Sequence, residues 1–373
     1  MPAAQEVFRR GRFDKVLFFA TFLLIAGGML MVYSTSSYAA SEKYGNGFHF
    51  MIQQLIGTAI GLILFVFFLN MPTPIYRTPQ MVFGLMLATL LLLVACFGMP
   101  TFANTNRLVT MGGLRFQPSE LAKVSLVLFL AYVIDRKQDR LRGFKSLVLP
   151  IGGLLLFVLL IVREPDYGTA VLVFLIGMTL LVLGGMRAKI LLVMGVIAAV
   201  IFAGYLLTSK YRTERFLTFL FPDRNPQGAG FQIRQSKLAV GRGGVMGVSI
   251  GESTQKLYFL PCAHTDFIYA IIGEELGMLG TLGTLFLFIL ILWRGMVIAR
   301  RAPDIFSQIT AAGLTLMITV QALINMTVVV GLGPVKGIPL PLVSYGRSSV
   351  ICTLLAVGIL LHISQRKAYE GRP

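Results

Sequence analysis

The sequence predicts an all-α, polytopic membrane protein, and three observations carry that prediction. The chain is 56% hydrophobic and only 13% charged, whereas soluble domains carry about 25% charged residues; its mean hydropathy is +0.79. Apolar runs of spanning length recur from one end to the other. The Lys and Arg residues between them fall in short clusters. A net charge of +17 distributed in this way speaks for membrane orientation and anionic headgroups, not for nucleic acid. Of three Cys, Cys96 and Cys352 lie inside apolar runs, so neither a disulfide framework nor a metal-ligand spacing is visible. The three His add no zinc pattern.

A spanning helix needs about 20 mostly apolar residues, and ten candidates follow in order. They run over Val16–Tyr33, Phe50–Leu69, Met81–Phe97, Ser119–Ile134, Ser146–Val162, Gly168–Leu183, Ile190–Leu207, Phe267–Trp293, Phe306–Val330 and Val343–Ile363. The first is long enough to span and is taken as a helix, not as a cleaved signal. Basic clusters precede the first helix (Arg9, Arg10, Arg12, Lys15). Others separate the fourth from the fifth (Arg136 to Lys145) and the sixth from the seventh (Arg187, Lys189), and follow the eighth (Arg294, Arg300, Arg301) and the tenth (Arg366, Lys367, Arg372). With ten spans all these clusters fall on one side, which the positive-inside rule makes the cytoplasm, with both termini inside. The reading is one membrane domain over residues 1–373. Its cytoplasmic ends are 1–15 and 364–373, and its long extracytoplasmic loop, 208–265, joins helices 7 and 8. That loop is basic and Gly-rich, and loops of its length are usually functional.

The stretch Leu257 to Ala270 closes the loop, with Asp266 where the next apolar run begins. On spacing alone, Thr265 or Asp266 reads most simply as a helix cap. An acid at a membrane boundary is nevertheless expensive, and a carboxylate there is placed to act as a general base. Glu120 and Lys123 are three residues apart and share a helix face, either as a helix-start acid with a snorkelling Lys or as the lining of a polar cavity. Arg163-Glu164-Pro165-Asp166-Tyr167-Gly168 reads as a solvated turn. From Gly333 to Ser349, Pro and Gly interrupt two apolar segments, and Ser344, Ser348 and Ser349 carry polarity into the last helix. Broken segments of this kind mark cavities and binding sites. The outward cations Arg107, Arg115, Lys123, Arg212, Arg215, Lys256 and Lys336 together suit a diphosphate.

These residues resemble the SEDS family of shape, elongation, division and sporulation proteins, typified by RodA and FtsW. The resemblance rests on Gln255 to Pro261 with His264-Thr265-Asp266-Phe267-Ile268-Tyr269-Ala270 and Gly273-Glu274-Glu275-Leu276-Gly277. It also rests on Phe116 to Glu120 with Lys123, Glu164-Pro165-Asp166, Pro226-Gln227-Gly228, and the loop from Lys336-Gly337 to Ser344-Tyr345-Gly346. It covers nearly the whole chain after the first helix and leans toward the FtsW branch. It implies a ten-helix fold and a peptidoglycan glycosyltransferase that polymerises lipid II at the outer face of the bacterial cytoplasmic membrane. The donor is a nascent glycan on undecaprenyl diphosphate, and the partner is a class B penicillin-binding protein. Asp266 takes the place of the family's essential acid. Glu120, Lys123, Arg107, Lys256, His264, Lys336, Ser344 and Arg347 are the expected substrate-binding residues. No cofactor is required by the pattern, and a divalent cation, Mg or Mn, is left open. Two positions depart from the family: Cys262 stands where Glu is usual, and Arg347 where a second Gly is usual. A lipid II flippase, or a scaffold for the transpeptidase, remains the alternative.

Overall fold

A computed structural model of the chain describes residues 11, 13–99, 107–111, 114–137, 144–207, 213–214, 217–218, 221, 229–334 and 337–366. In order its helices are α1 (Lys15–Tyr44), α2 (His49–Asn70), the single turn α3 (Thr73–Tyr76), α4 (Pro79–Ala95), α5 (Pro118–Arg136) and α6 (Phe144–Arg163). They continue with α7 (Tyr167–Leu183), α8 (Ala188–Leu207), α9 (Ala229–Gly243), α10 (Ile268–Arg301), α11 (Ile305–Val329) and α12 (Arg347–Ser364). A helix stands at each of the ten expected places. Seven, namely α1, α2, α4, α6, α10, α11 and α12, are long and apolar enough to cross a membrane. α7 and the described part of α8 are apolar but shorter, and α5 carries Glu120, Lys123, Asp135 and Arg136.

Side-chain caps fix several starts: Asp14, Thr78, Asp166 and Asp304 each accept a main-chain N–H of the first turn of α1, α4, α7 and α11, satisfying donors that a helix cannot pair itself. α5 lies at the centre, buried along nearly its whole length and packed against α4, α7, α11 and α12. α2 and α12 approach closely through small residues. A Cβ on Gly61 would come within 2.7 Å of Leu354, and one on Gly358 within 2.7 Å of the Phe65 carbonyl oxygen. At the basic end of the bundle, ion pairs Arg294–Asp14, Arg366–Asp304 and Arg77–Asp135 tie the helix ends together.

The structure adds two features to the expected pattern. A short antiparallel hairpin, β1 (Val109–Met111) with β2 (Leu114–Phe116), pairs Thr110 with Arg115 just before α5. The apolar run expected as one helix from Phe267 is also broken: Gly277 adopts φ 66°, ψ −157° inside α10. Before the break, Ile268 to Glu275 are buried within the protein. After it, Met278, Leu279, Leu282 and Phe286 are exposed. Asp266 therefore stands at the head of a buried helical segment, not at the mouth of the lipid-facing one. The Gly-rich stretch after α9 folds over the break. Val248 N donates to the Glu274 carbonyl (3.0 Å), Ser249 N to the Glu275 carbonyl (3.2 Å), and Met278 N to the Gly244 carbonyl (2.9 Å).

Candidate active site

Neither Thr265 nor Asp266 caps the buried segment of α10. The N-cap position is Phe267, and no side chain makes a capping bond there. The main chain leading into the helix is instead held from outside, one carbonyl at a time. Tyr345 N donates to the His264 carbonyl (2.9 Å), Ser344 Oγ to the Thr265 carbonyl (2.6 Å), and Asn325 Nδ2 to the Asp266 carbonyl (2.8 Å). Asn325, buried on α11, also donates to the Ile338 carbonyl at 2.8 Å. Ser344 Oγ in turn accepts from Leu340 N at 2.8 Å. The broken 337–346 segment and the Asp266 turn are thus stitched into one unit, with main-chain polar groups satisfied as buried groups must be. Gly337 passes directly beside the acid: a Cβ there would lie 3.2 Å from Asp266 Oδ2 and 3.8 Å from Arg107 Nη1. Carboxylate and guanidinium therefore border the same piece of backbone.

The surroundings tune the neighbouring groups. Partial burial of its sulfur, and then the Asp266 carboxylate, push the Cys262 thiol above its ordinary value, which keeps it protonated at neutral pH. Burial pulls His264 down to about 4, so its ring is neutral and acts as a packing surface, in contact with Phe50 and Tyr345. Arg347 opens α12 and donates to Gln53 Oε1 on α2 at 2.7 Å.

Glu120 and Lys123 form a buried ion pair at 2.9 Å. The ammonium also donates to Gln321 Oε1 at 2.5 Å, and Gln321 Nε2 donates to the Pro339 carbonyl at 3.0 Å. The pair is thus tied, through α11, to the loop that carries Gly337. Beside it, Gln117 Nε2 donates to Asp166 Oδ2 (2.8 Å), while Gln117 N donates to Ser348 Oγ (2.9 Å). The turn expected to be solvated turns its acids inward: Glu164 and Asp166 are 0% and 4% exposed, while Arg163 and Pro165 are exposed.

Lys256 belongs to a different cluster. Its ammonium donates to Glu275 Oε1 (2.7 Å), the Gly251 carbonyl (2.6 Å) and Ser34 Oγ (3.1 Å), binding α1 to the Gly277 break. Glu274 on the other side accepts from Thr254 N (3.2 Å) and Gln255 N (3.4 Å). Lys336 and its neighbours Arg212 and Arg215 in the expected cation set lie outside the described residues. Among the described residues no group of three or more His, Cys, Asp or Glu side chains is arranged to hold a metal ion.

The sequence reading missed the buried amides Asn325, Gln321 and Gln54, which hold the site's backbone, Gln54 by donating to the Ser344 carbonyl (3.2 Å) and accepting from Gly346 N (3.1 Å). The signal was present: Gln54, Gln321 and Asn325 lie inside apolar runs, where an amide without a partner is costly.

Comparison with known proteins agrees with this architecture. The family model for cell cycle proteins of the FtsW, RodA and SpoVE type matches residues 14–369. A protein of Trichlorobacter lovleyi named as a probable peptidoglycan glycosyltransferase FtsW is 38% identical over 364 residues, covering 96% of this chain and 95% of its own. Stage V sporulation protein E of Bacillus subtilis is 38% identical over 358 residues, covering 95% and 98%. Among solved structures, a chain from a peptidoglycan synthase complex that coordinates polymerization and crosslinking superposes with a TM-score of 0.80 at 26% identity, over 96% of this chain and 99% of that one. The rod shape determining protein RodA of Thermus thermophilus superposes with a TM-score of 0.71 at 25% identity, over 96% and 98%. A match over nearly the full length places this chain in the FtsW/RodA/SpoVE family of cell cycle proteins.

Proposed function

We propose that the protein is a peptidoglycan glycosyltransferase that polymerises lipid II, working in the bacterial cytoplasmic membrane with the Asp266 end outward. The observation that carries the reading is the placement of Asp266. It is a partly buried carboxylate on a turn whose three successive carbonyls are fixed by Tyr345, Ser344 and Asn325, with Arg107 across Gly337. A base fixed in this way is pre-positioned for its proton.

In the step proposed, Asp266 accepts the proton of a sugar hydroxyl on an incoming lipid II. The hydroxyl oxygen forms a bond to the anomeric carbon of the growing glycan, whose bond to undecaprenyl diphosphate breaks with inversion. Arg107, with Lys336, offsets the charge on the departing diphosphate. A penicillin-binding protein of class B would crosslink the product, in keeping with the synthase complex that this fold matches.

The test is lipid II polymerisation by the purified protein with its partner. Asp266→Asn nearly keeps the shape and removes the basicity. Loss of a positioned base lowers the rate by about 10²–10⁴-fold, so polymer should vanish from the gel while the melting temperature holds. Polymer at the parental rate would rule out Asp266 as the base.

A further inference from the structure

Resting on the polymerase reading, we propose that a shelf of aromatic rings at the Asp266 end, bordered by Arg115 and Arg347, binds the sugar diphosphate of the acceptor glycolipid. The shelf is continuous. Tyr44, exposed at the end of α1, stacks on His49 with ring centroids 4.1 Å apart and planes 11° apart. His49 meets Phe50 at 5.4 Å, and Phe50 meets both Tyr345 (5.1 Å) and His264 (4.9 Å). The shelf thus runs from the surface to a ring two residues before Asp266. With burial holding His264 at about 4, that ring is neutral, and the inner rings meet tilted (Phe50–His264, 36°) or edge to face (Phe50–Tyr345, 82°), giving an apolar, stepped surface of ring faces and edges. Such faces suit the C–H face of a pyranose ring.

The charge lies along its border. Arg347 is anchored to Gln53 on α2 and packed against Gly57, where a Cβ would come within 3.0 Å of its stem. Among the described residues no carboxylate pairs with it. The guanidiniums of Arg347 and Arg115 both act on the Tyr345 hydroxyl. The Gln117–Ser348 bond (2.9 Å) holds the end of the hairpin that carries Arg115 against the first turn of α12. Two cations beside an aromatic floor match an anionic sugar, and guanidinium forks suit phosphate oxygens.

The reaction requires this second anion site, because both of its substrates carry a lipid diphosphate. The departing diphosphate must lie at the reacting carbon, beside Asp266 and Arg107. The acceptor's diphosphate lies at the far end of its disaccharide from the attacking hydroxyl. The ring contacts run from His264, two residues before Asp266, out to the exposed Tyr44. Arg347, where the family pattern has Gly, gives this chain an added grip on the acceptor.

The same chemistry is offered by a phospholipid headgroup, and the experiment separates the two. Initial polymerisation rates are measured against lipid II concentration in phosphatidylcholine vesicles with and without phosphatidylglycerol. Arg347→Gln should raise KM about tenfold, the loss of one charged hydrogen bond, with kcat nearly unchanged in both membranes. Tyr345→Leu removes a ring without altering the main-chain bond to His264, and should also raise KM. Binding of fluorescent lipid II to Asp266→Asn protein, with and without Arg347→Gln, gives a readout independent of turnover and should weaken by a similar factor. An effect confined to phosphatidylglycerol vesicles, or an unchanged KM and Kd, would overturn the assignment. Polymerisation by Asp266→Asn at the parental rate would instead sink the catalytic reading, leaving the Kd comparison to judge the shelf.

Discussion

Cys262 stands four residues before the candidate base, in a left-handed backbone conformation (φ 59°), and its thiol feels the Asp266 carboxylate. The family pattern has Glu at this place. A second carboxylate there would make ionisation of Asp266 harder, because like charges sharing a site raise each other's pKa. Cys262→Glu should therefore move the acid limb of the kcat/KM profile to higher pH by about one unit. Initial rates of lipid II polymerisation across pH check this, and an unmoved limb would mean that Asp266 is not the group titrating there. The acid itself was legible in the sequence, since a carboxylate at an apolar boundary needs a reason. What holds it was not. Asn325, Ser344 and the Tyr345 amide reach the 264–266 turn across 59 to 81 residues of chain, and nothing local to any of them signals that contact.

Among the elements, the break in α10 organises the most neighbours. Gly277 holds a backbone conformation open essentially to glycine alone, and a Cβ there would meet Gly247 N at 2.4 Å and Val245 O at 2.5 Å. Gly277→Ala forces the 243–249 stretch off the break and loosens the acceptors around Glu274 and Glu275. Strain of about 1–3 kcal/mol, with steric displacement added, should lower the melting temperature by several degrees and reduce polymerisation with it. An unchanged melt in detergent would show that the clasp is not holding the break. Hydrophobic run length made the helical, membrane-spanning character legible, because seven of the runs are long and apolar enough to cross a membrane. The same rule hid the break, since Ile268 to Trp293 is apolar on both sides of it and Gly is tolerated in membrane helices. The adjacent acids Glu274 and Glu275 inside that run were the available warning, for two carboxylates facing lipid would be prohibitive. Three-residue strands such as β1 and β2 leave no periodic signal at all.

At the scale of the whole molecule, the Asp266 end is a polar layer set inside a membrane protein, and its stability depends on charge states that burial controls. Glu164 is the clearest case. It is 0% exposed, and burial, then the nearby Asp166 carboxylate, push it up to about 8, with the Cys96 thiol beside it pulling weakly the other way. The native protein therefore keeps this proton up to about pH 8, whereas the unfolded chain releases it near the ordinary value of 4.5. Between those values the native state binds more protons, so stability falls as pH rises. The contribution is complete below about pH 4.5 and gone above about pH 8. Glu164→Gln is neutral throughout and should match the parent at pH 4.5. It should melt several degrees higher at pH 8.5, where the parent must either bury a charge or open the turn between α6 and α7. Thermal melts of the two proteins at both pH values decide it. A difference of equal size at both would mean that the side chain matters for its shape and not for its proton, and Asp166, Gln117 and Ser348 would then be the groups holding that turn to α5 and α12.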